Sequence, residues 1–414
     1  MGERGFPMRP IKSFKSLRST VTAVLTLLIL FGCGAMTVLR NAKALLAFEG
    51  ETVTEKIRLE RQAIETAFDT GFYRFDNFIS VYAGVQNILG ADVFEDAMYT
   101  YMIRDNHNGL HFYTPAEDAA PYAGAVNKLN ERLSAAGIPL LYLQAPNKYI
   151  EGYTEFPLGM DSAATANADA MLRLLQEGGT NALSFRQVLA SQAFDPALMF
   201  YRTDHHWTTQ AAFSAYDYTV SYLNETYAFG LDTGKTAPEA WEALSFENYF
   251  LGSQGRRVSA TLCGLDDYTC LLPRFSTSYD IYNPYESEDT PQWQGTFRET
   301  IIRDQLLLSD DVAQNRYASY FQYDFGHLRI ENLEMDNDLT VAIVKDSFAL
   351  PFTAFLSTCF QTTHMMDLRG FTGNLTETLL QIRPDLVIIL YGNASFSPEM
   401  YRFDTMLESG QAVQ

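Results

Sequence analysis

The chain has 414 residues, of which 47% are hydrophobic and 14% aromatic, a composition that excludes a disordered chain and can bury a large core in one domain with insertions or in two domains. The formal net charge of −20 argues against partners that are nucleic acids or other phosphate polymers. Four cysteines are too few for a disulfide scaffold.

The first forty residues run against the acidic trend, with Arg4, Arg9, Lys12, Lys15, Arg18 and Arg40 against Glu3 alone. The basic head precedes the apolar run "VTAVLTLLILFGCGAMTVL" over 21–39, which as a helix spans roughly 28 Å, close to a bilayer's hydrocarbon thickness. The expectation is a cytoplasmic basic segment (1–20), a transmembrane signal anchor (21–39) and a single-pass cell-membrane protein with everything beyond outside the cytoplasm. Two alternatives are a signal peptide cleaved near "AKA" (42–44) and a lipoprotein modified at Cys33. Residues 40–70, rich in Ala, Leu, Glu, Lys and Arg without proline, read as a helical stalk. Residues 70–118 are aromatic and irregular, and "GVQNILGADVF" suggests short strands and turns.

From residue 120 the periodicity sharpens. Tyr122, Val126, Leu129 and Leu133 fall on one helical face ending at Gly137. "IPLLYLQAP" reads as a buried strand, 160–177 and 183–192 as helices, and Phe213, Tyr216, Val220, Leu223 and Tyr227 predict a helix from Thr208, a threonine suited to cap it. Residues 229–330 are turn-rich and read as an excursion from the main sheet. Within them Cys263 and Cys270, in "CGLDDYTC", are the candidate disulfide. "LTVAIVKD", "CFQTTHMM" and "PDLVIILYGN" are three further strands, separated by helices. The alternation predicts an α/β fold with a parallel sheet flanked by helices and a site at the strands' carboxyl ends.

Those ends carry "APNKY", "KDSF" and "YGNASF". Ser347 sits on a turn before a helix whose first turn accepts Pro351, with backbone amides near any oxyanion formed on attack. A serine needs a base held in one tautomer by a third group. "YRTDHHW" supplies both: with alternating side chains, Asp204 and His206 share a side and His205 faces away. Asp204, His205 and His206 also fit a two-histidine, one-carboxylate metal set, although adjacent residues ligate one ion only with strain. No metal and no cofactor is expected. Gly392, Asn393, Lys148, His205 and Trp207 are the oxyanion or substrate candidates, while Trp207 and the aromatics after it also read as core. His364 reads as buried and structural, and His107, His111 and His327 show no local pattern.

"DHHW" followed by "KDSF" resembles the DHHW family and, more distantly, the SGNH-like O-acetyltransferases of exopolysaccharide assembly, such as the alginate O-acetyltransferases. The resemblance covers about 75–405, with Asp-x-His-Trp before Asp-Ser, a permuted order relative to ordinary SGNH hydrolases. It implies an SGNH-like catalytic domain with an irregular insertion at about 229–330. It also implies Ser347 as nucleophile, His206 as base and Asp204 as its orienting acid, acting as an extracytoplasmic O-acetyltransferase on a cell-surface or secreted polysaccharide. A membrane-bound O-acyltransferase is the implied partner that supplies acetyl groups. The alternatives are a carbohydrate esterase with the same triad and a non-catalytic polysaccharide-binding or assembly protein. Lys345 stands where SGNH sequences commonly carry glycine.

Overall fold

Residues 13–40, 75–284, 292–392 and 396–406 are described by the structure, a computed structural model. The chain divides into two compact units, Met1–Val85 and Gln86–Gln414. In the first, α1 (Ser13–Arg40) is a 28-residue helix. Among the described residues no helix is long and apolar enough to cross a membrane. This corrects the expected transmembrane anchor and single-pass membrane localisation. The expected stalk lies outside the described residues, as does most of the basic head. The helix α2 (Phe75–Ile88) falls where strands and turns were expected.

The second unit opens with a three-stranded antiparallel meander, β1 (Val93–Asp96), β2 (Thr100–Arg104) and β3 (Leu110–Phe112). Then α3 (Ala120–Ala135) leads into β4 (Leu140–Gln144), α4 (Ala164–Glu177), β5 (Asn181–Ser184), α5 (Phe185–Ser191) and α6 (Thr209–Tyr227). The expected helix over 183–192 is shortened by β5, a four-residue strand too brief to leave a periodic trace. Thr208 caps α6 as expected, its hydroxyl accepting from the Ala211 amide at 3.1 Å.

Residues 229–330 hold an antiparallel ribbon, β6 (Trp241–Phe250) with β7 (Asp266–Pro273), followed by β8 (Tyr279–Tyr282), β9 (Trp293–Gly295) and β10 (His327–Asn332). The last elements are β11 (Thr340–Lys345), α7 (Ala349–Leu356), β12 (Thr362–Met366), α8 (Leu375–Ile382) and β13 (Leu386–Tyr391). The eight-stranded sheet has the order β5-β4-β13-β11-β12-β10-β8-β9. Its first five strands are parallel, and β10, β8 and β9 continue it antiparallel. The central sheet is therefore mostly parallel, and the stretch read as an excursion supplies three of its strands.

The unbroken apolar strands follow from burial on both faces. Leu141, Ile343, Ile388 and Leu390 enter one core layer with Ala212, Tyr216 and Val220 of α6 and Phe352 of α7. Their neighbours Leu140, Tyr142, Val344 and Ile389 enter the other with Val126 and Leu133 of α3, Met171 of α4 and Leu379 of α8. The register pairs Lys345 with Leu390 and Tyr391 with Gln144, so β11, β13 and β4 end together and their outgoing loops meet at one rim. Cys263 and Cys270 are unbridged, a correction to the disulfide expectation. Cys270 lies four residues into β7, carried roughly 13 Å past Asp266 by strand geometry.

Candidate active site

The serine side is built by one strand, one turn and one helix. Past Lys345, the Asp346 carboxylate accepts from the Phe348 amide at 2.9 Å and from the Gly392 amide at 2.6 Å, tying the turn after β11 to the end of β13. Ser347 stands at the apex, half-buried, and Pro351 lies in the first turn of α7. The Phe348 carbonyl accepts from the Trp207 indole and the Tyr317 hydroxyl, each at 2.9 Å. With both polar groups of Phe348 engaged, the Ser347 amide is left as a donor without an acceptor among the described residues.

The histidine side is not an extended segment. Residues 200–207 form a closed loop, Phe200 bridging to Trp207, and Asp204 turns within it as a local cap. Its Oδ1 accepts from the His206 amide at 3.0 Å and meets His206 Nδ1 at 2.6 Å. Its Oδ2 accepts from the Ser253 amide at 2.6 Å. His206 Nε2 lies 2.7 Å from Ser347 Oγ, and the ring stacks on Tyr317 at 3.9 Å between centroids. Burial opposes the charge of Asp204, yet the two imidazoles and the hydrogen bonds outweigh it and hold its carboxyl well below the usual range. An ionised acceptor requires a proton on His206 Nδ1, so Nε2 presents its lone pair to the serine hydroxyl.

The loop is fixed from outside. Asp266 accepts from the amides of Arg202 (2.9 Å) and Thr203 (2.8 Å) and from the Thr203 hydroxyl (2.6 Å). Gly252 lies against Asp204 so closely that an added Cβ would come 2.3 Å from the Asp204 Cβ. Asp266, Gly252, Ser253 and Tyr317 escaped sequence reasoning because they fall in the turn-rich stretch without a pattern of their own. The glycine and aspartate of "LGSQG" and "GLDDY" were the only signals.

Asp204, His205 and His206 offer ligand atoms within 4.8 Å of one another. Those atoms are committed elsewhere: both Asp204 oxygens and both His206 nitrogens as above, and His205 Nδ1 to Ser253 Oγ at 2.7 Å. Only His205 Nε2 remains, which is too little for a metal centre without rearrangement.

A cavity of about 330 Å³ opens over Ser347, lined also by Asn147, Lys148, His111, His205, Tyr149 and Phe348. His205 faces it half-buried, and burial pushes its imidazole down to about 3. Lys148 also lines it, but its ammonium already donates to the Arg202 and Asp204 carbonyls and to Gln254 at 3.0, 2.7 and 2.8 Å. No proton is left for an oxyanion, and burial lowers it to about 8. Gly392 likewise spends its amide on Asp346, and Trp207 is wholly buried. These three oxyanion or substrate expectations are corrected to structural roles. Asn393 lies outside the described residues. Lys345 is fully buried, bound to Asp324 and 3.3 Å from Asp367, so its side chain leaves the serine turn undisturbed.

Residues 110–245 match the family described as the SGNH hydrolase-like domain of acetyltransferase AlgX. Among solved structures the chain is similar to Bacillus cereus PatB1 with a sulfonyl adduct, at TM-score 0.60 and 18% identity, over 74% of this chain and 98% of that one. It is also similar to a DHHW family protein from Eubacterium siraeum, at TM-score 0.58 and 14% identity, over 77% and 99%. Comparison with curated proteins finds no match. The SGNH-like resemblance is met by the family match over "DHHW", which ends before "KDSF", and the α/β fold by both structures.

Proposed function

We propose that this chain is an O-acetyltransferase that works through Ser347, His206 and Asp204 and delivers acetyl groups to a carbohydrate hydroxyl. In the first half-reaction His206 Nε2 takes the serine proton as Oγ bonds to the acetyl carbon. The collapsing oxyanion then expels the donor's leaving group, which departs with that proton. In the second, a sugar hydroxyl gives its proton to His206, bonds to the acetyl carbon, and releases Ser347 reprotonated. The Ser347 amide is the donor nearest to hand for the oxyanion, and Asp204 steadies the imidazolium of both steps. A polysaccharide acceptor, as in the alginate O-acetyltransferases that the sequence resembles, and a membrane-bound O-acyltransferase that furnishes the acetyl group complete the reading.

The observation that supports it is the unbroken line of contacts from Asp204 through His206 to Ser347, at 2.6 and 2.7 Å, opening on a cavity with aromatic walls. A sulfonyl reagent, such as the one bound in the Bacillus cereus PatB1 structure, is then expected to add to Ser347. The test supplies purified protein with p-nitrophenyl acetate and a panel of oligosaccharides. Acetylated sugar that disappears in Ser347→Ala supports the transferase, and free acetate alone makes the protein an esterase. Release of p-nitrophenol unchanged in Ser347→Ala removes the reading altogether.

A further inference from the structure

A second carboxylate–imidazole pair lies beside the same cavity. The hairpin between β2 and β3 turns on Asp105, whose Oδ1 accepts from the amides of His107 (2.8 Å) and Gly109 (2.7 Å), while Oδ2 meets His111 Nε2 at 2.7 Å. Both side chains are about 95% buried. The hairpin is anchored to the loop of Asp204: the Leu110 amide donates to the Arg202 carbonyl at 2.8 Å, the same oxygen that receives Lys148. His111 therefore keeps a fixed relation to His206 although nearly a hundred residues separate them.

The contacts determine the tautomer. Asp105 Oδ1, with two amides pointing at it, must be an oxygen acceptor. Burial opposes its charge, but the His111 hydrogen bond and those amides bring its carboxyl below the ordinary range. An ionised Oδ2 puts the His111 proton on Nε2. Burial, above all, keeps the imidazole itself neutral. Nδ1 is then a lone pair that finds no hydrogen-bond donor among the described residues, on a ring that lines the cavity and is held edge-on to Phe156 at 4.9 Å. A lone pair that opens on the cavity is satisfied by water in the free protein, and a ligand hydroxyl can take that water's place.

We infer that His111 Nδ1, oriented by Asp105, is a binding site for a hydroxyl of the acyl acceptor, so that the acceptor is a polyol held by at least one hydroxyl other than the one acylated. The inference rests on the proposed acyl transfer. Asp105 is a positioning residue that acts only through the tautomer of His111.

Acetyl partitioning tests this, with p-nitrophenyl acetate as donor and water or glycerol as acceptor. Replacing Asp105 by Asn turns an amide N–H toward His111 Nε2, because Oδ1 must still face the two backbone donors. The imidazole proton then moves to Nδ1, and the acceptor becomes a donor at almost unchanged volume. Wild type is expected to form glyceryl acetate with saturation in glycerol. Asp105→Asn and His111→Phe are each expected to lower the glycerol-to-water ratio by about tenfold, the worth of one hydrogen bond, and a ratio taken within each variant is insensitive to a general loss of turnover. The ¹⁵N shifts of the His111 ring should report proton transfer from Nε2 to Nδ1 in Asp105→Asn, a change that a purely structural role for Asp105 does not require.

An unaltered ratio in both variants, a wild-type ratio that does not saturate, or equal loss of hydrolysis and transfer overturns the inference while leaving the serine chemistry in place. Failure of the acyl-transfer reading itself shows differently, as p-nitrophenol release that Ser347→Ala does not abolish.

Discussion

The two halves of the candidate site are built in opposite ways. Ser347 is held by its own strand, turn and helix, with Asp346 closing the turn through two amides. His206 belongs to no regular element: its loop is fixed by Asp266, Gly252 and Ser253, some fifty to sixty residues further along the chain. Regular structure positions Ser347, whereas tertiary contacts position His206, and the two meet through Trp207, which follows His206 and grips the carbonyl that follows Ser347. A tryptophan that reads as core in the sequence thus joins the halves.

The contrast can be broken at several points. Ser347→Ala or His206→Ala should cost about 10⁴-fold or more in esterase turnover, since both act in one unit. Gly252→Ala, remote in sequence, should cost about 10²-fold in turnover by pushing Asp204 from its 2.6 Å contact with His206. Wild-type turnover in that variant would mean that the loop is not held from outside. Trp207→Phe keeps most of the volume and loses the indole donor, leaving Tyr317 as the remaining partner of the Phe348 carbonyl. Chemical denaturation should show about 1–2 kcal/mol lost, with turnover down several-fold; full activity would uncouple the halves.

The remaining effect concerns acid stability and leaves the contact between the halves untouched. His327 and His364 are buried 2.8 Å apart, and burial pushes their imidazoles down to about 3 and about 4. Unfolded imidazoles protonate near pH 6.5 while these stay neutral, so the unfolded chain binds more protons and stability must fall as pH drops from about 6.5 toward 4. The slope is up to about 3 kcal/mol per pH unit. Thermal melts at pH 7.5, 6 and 5 check it, and a midpoint that does not fall would contradict the burial of the pair.

What the sequence made legible follows the same division. The strands ending at Gln144, Lys345 and Tyr391 announce themselves by apolar runs, and the runs exist because both faces are covered. Asp204, His206 and Ser347 are legible because titratable groups crowd beside a tryptophan and because a serine follows a strand. The geometry between Asp204 and His206 was reached by the wrong route: alternation along an extended segment was expected, and a capped turn delivers the contact. Lys148 and Gly392 looked like donors for an oxyanion because a sequence does not tell whether a proton is already engaged. His111 carried no pattern because its partner, Asp105, is six residues away across a hairpin that no periodicity marks. The β8–β9–β10 extension was illegible for a related reason: short strands paired at long range leave little local trace.

The most direct test is covalent. The protein is treated with an aromatic sulfonyl fluoride, digested, and mapped by mass spectrometry, in wild type and in His206→Ala. One adduct, on Ser347, that forms at least about a hundred times more slowly without the imidazole is the predicted result. An adduct on another residue, or a Ser347 adduct formed at the same rate in both proteins, would contradict a serine activated by His206.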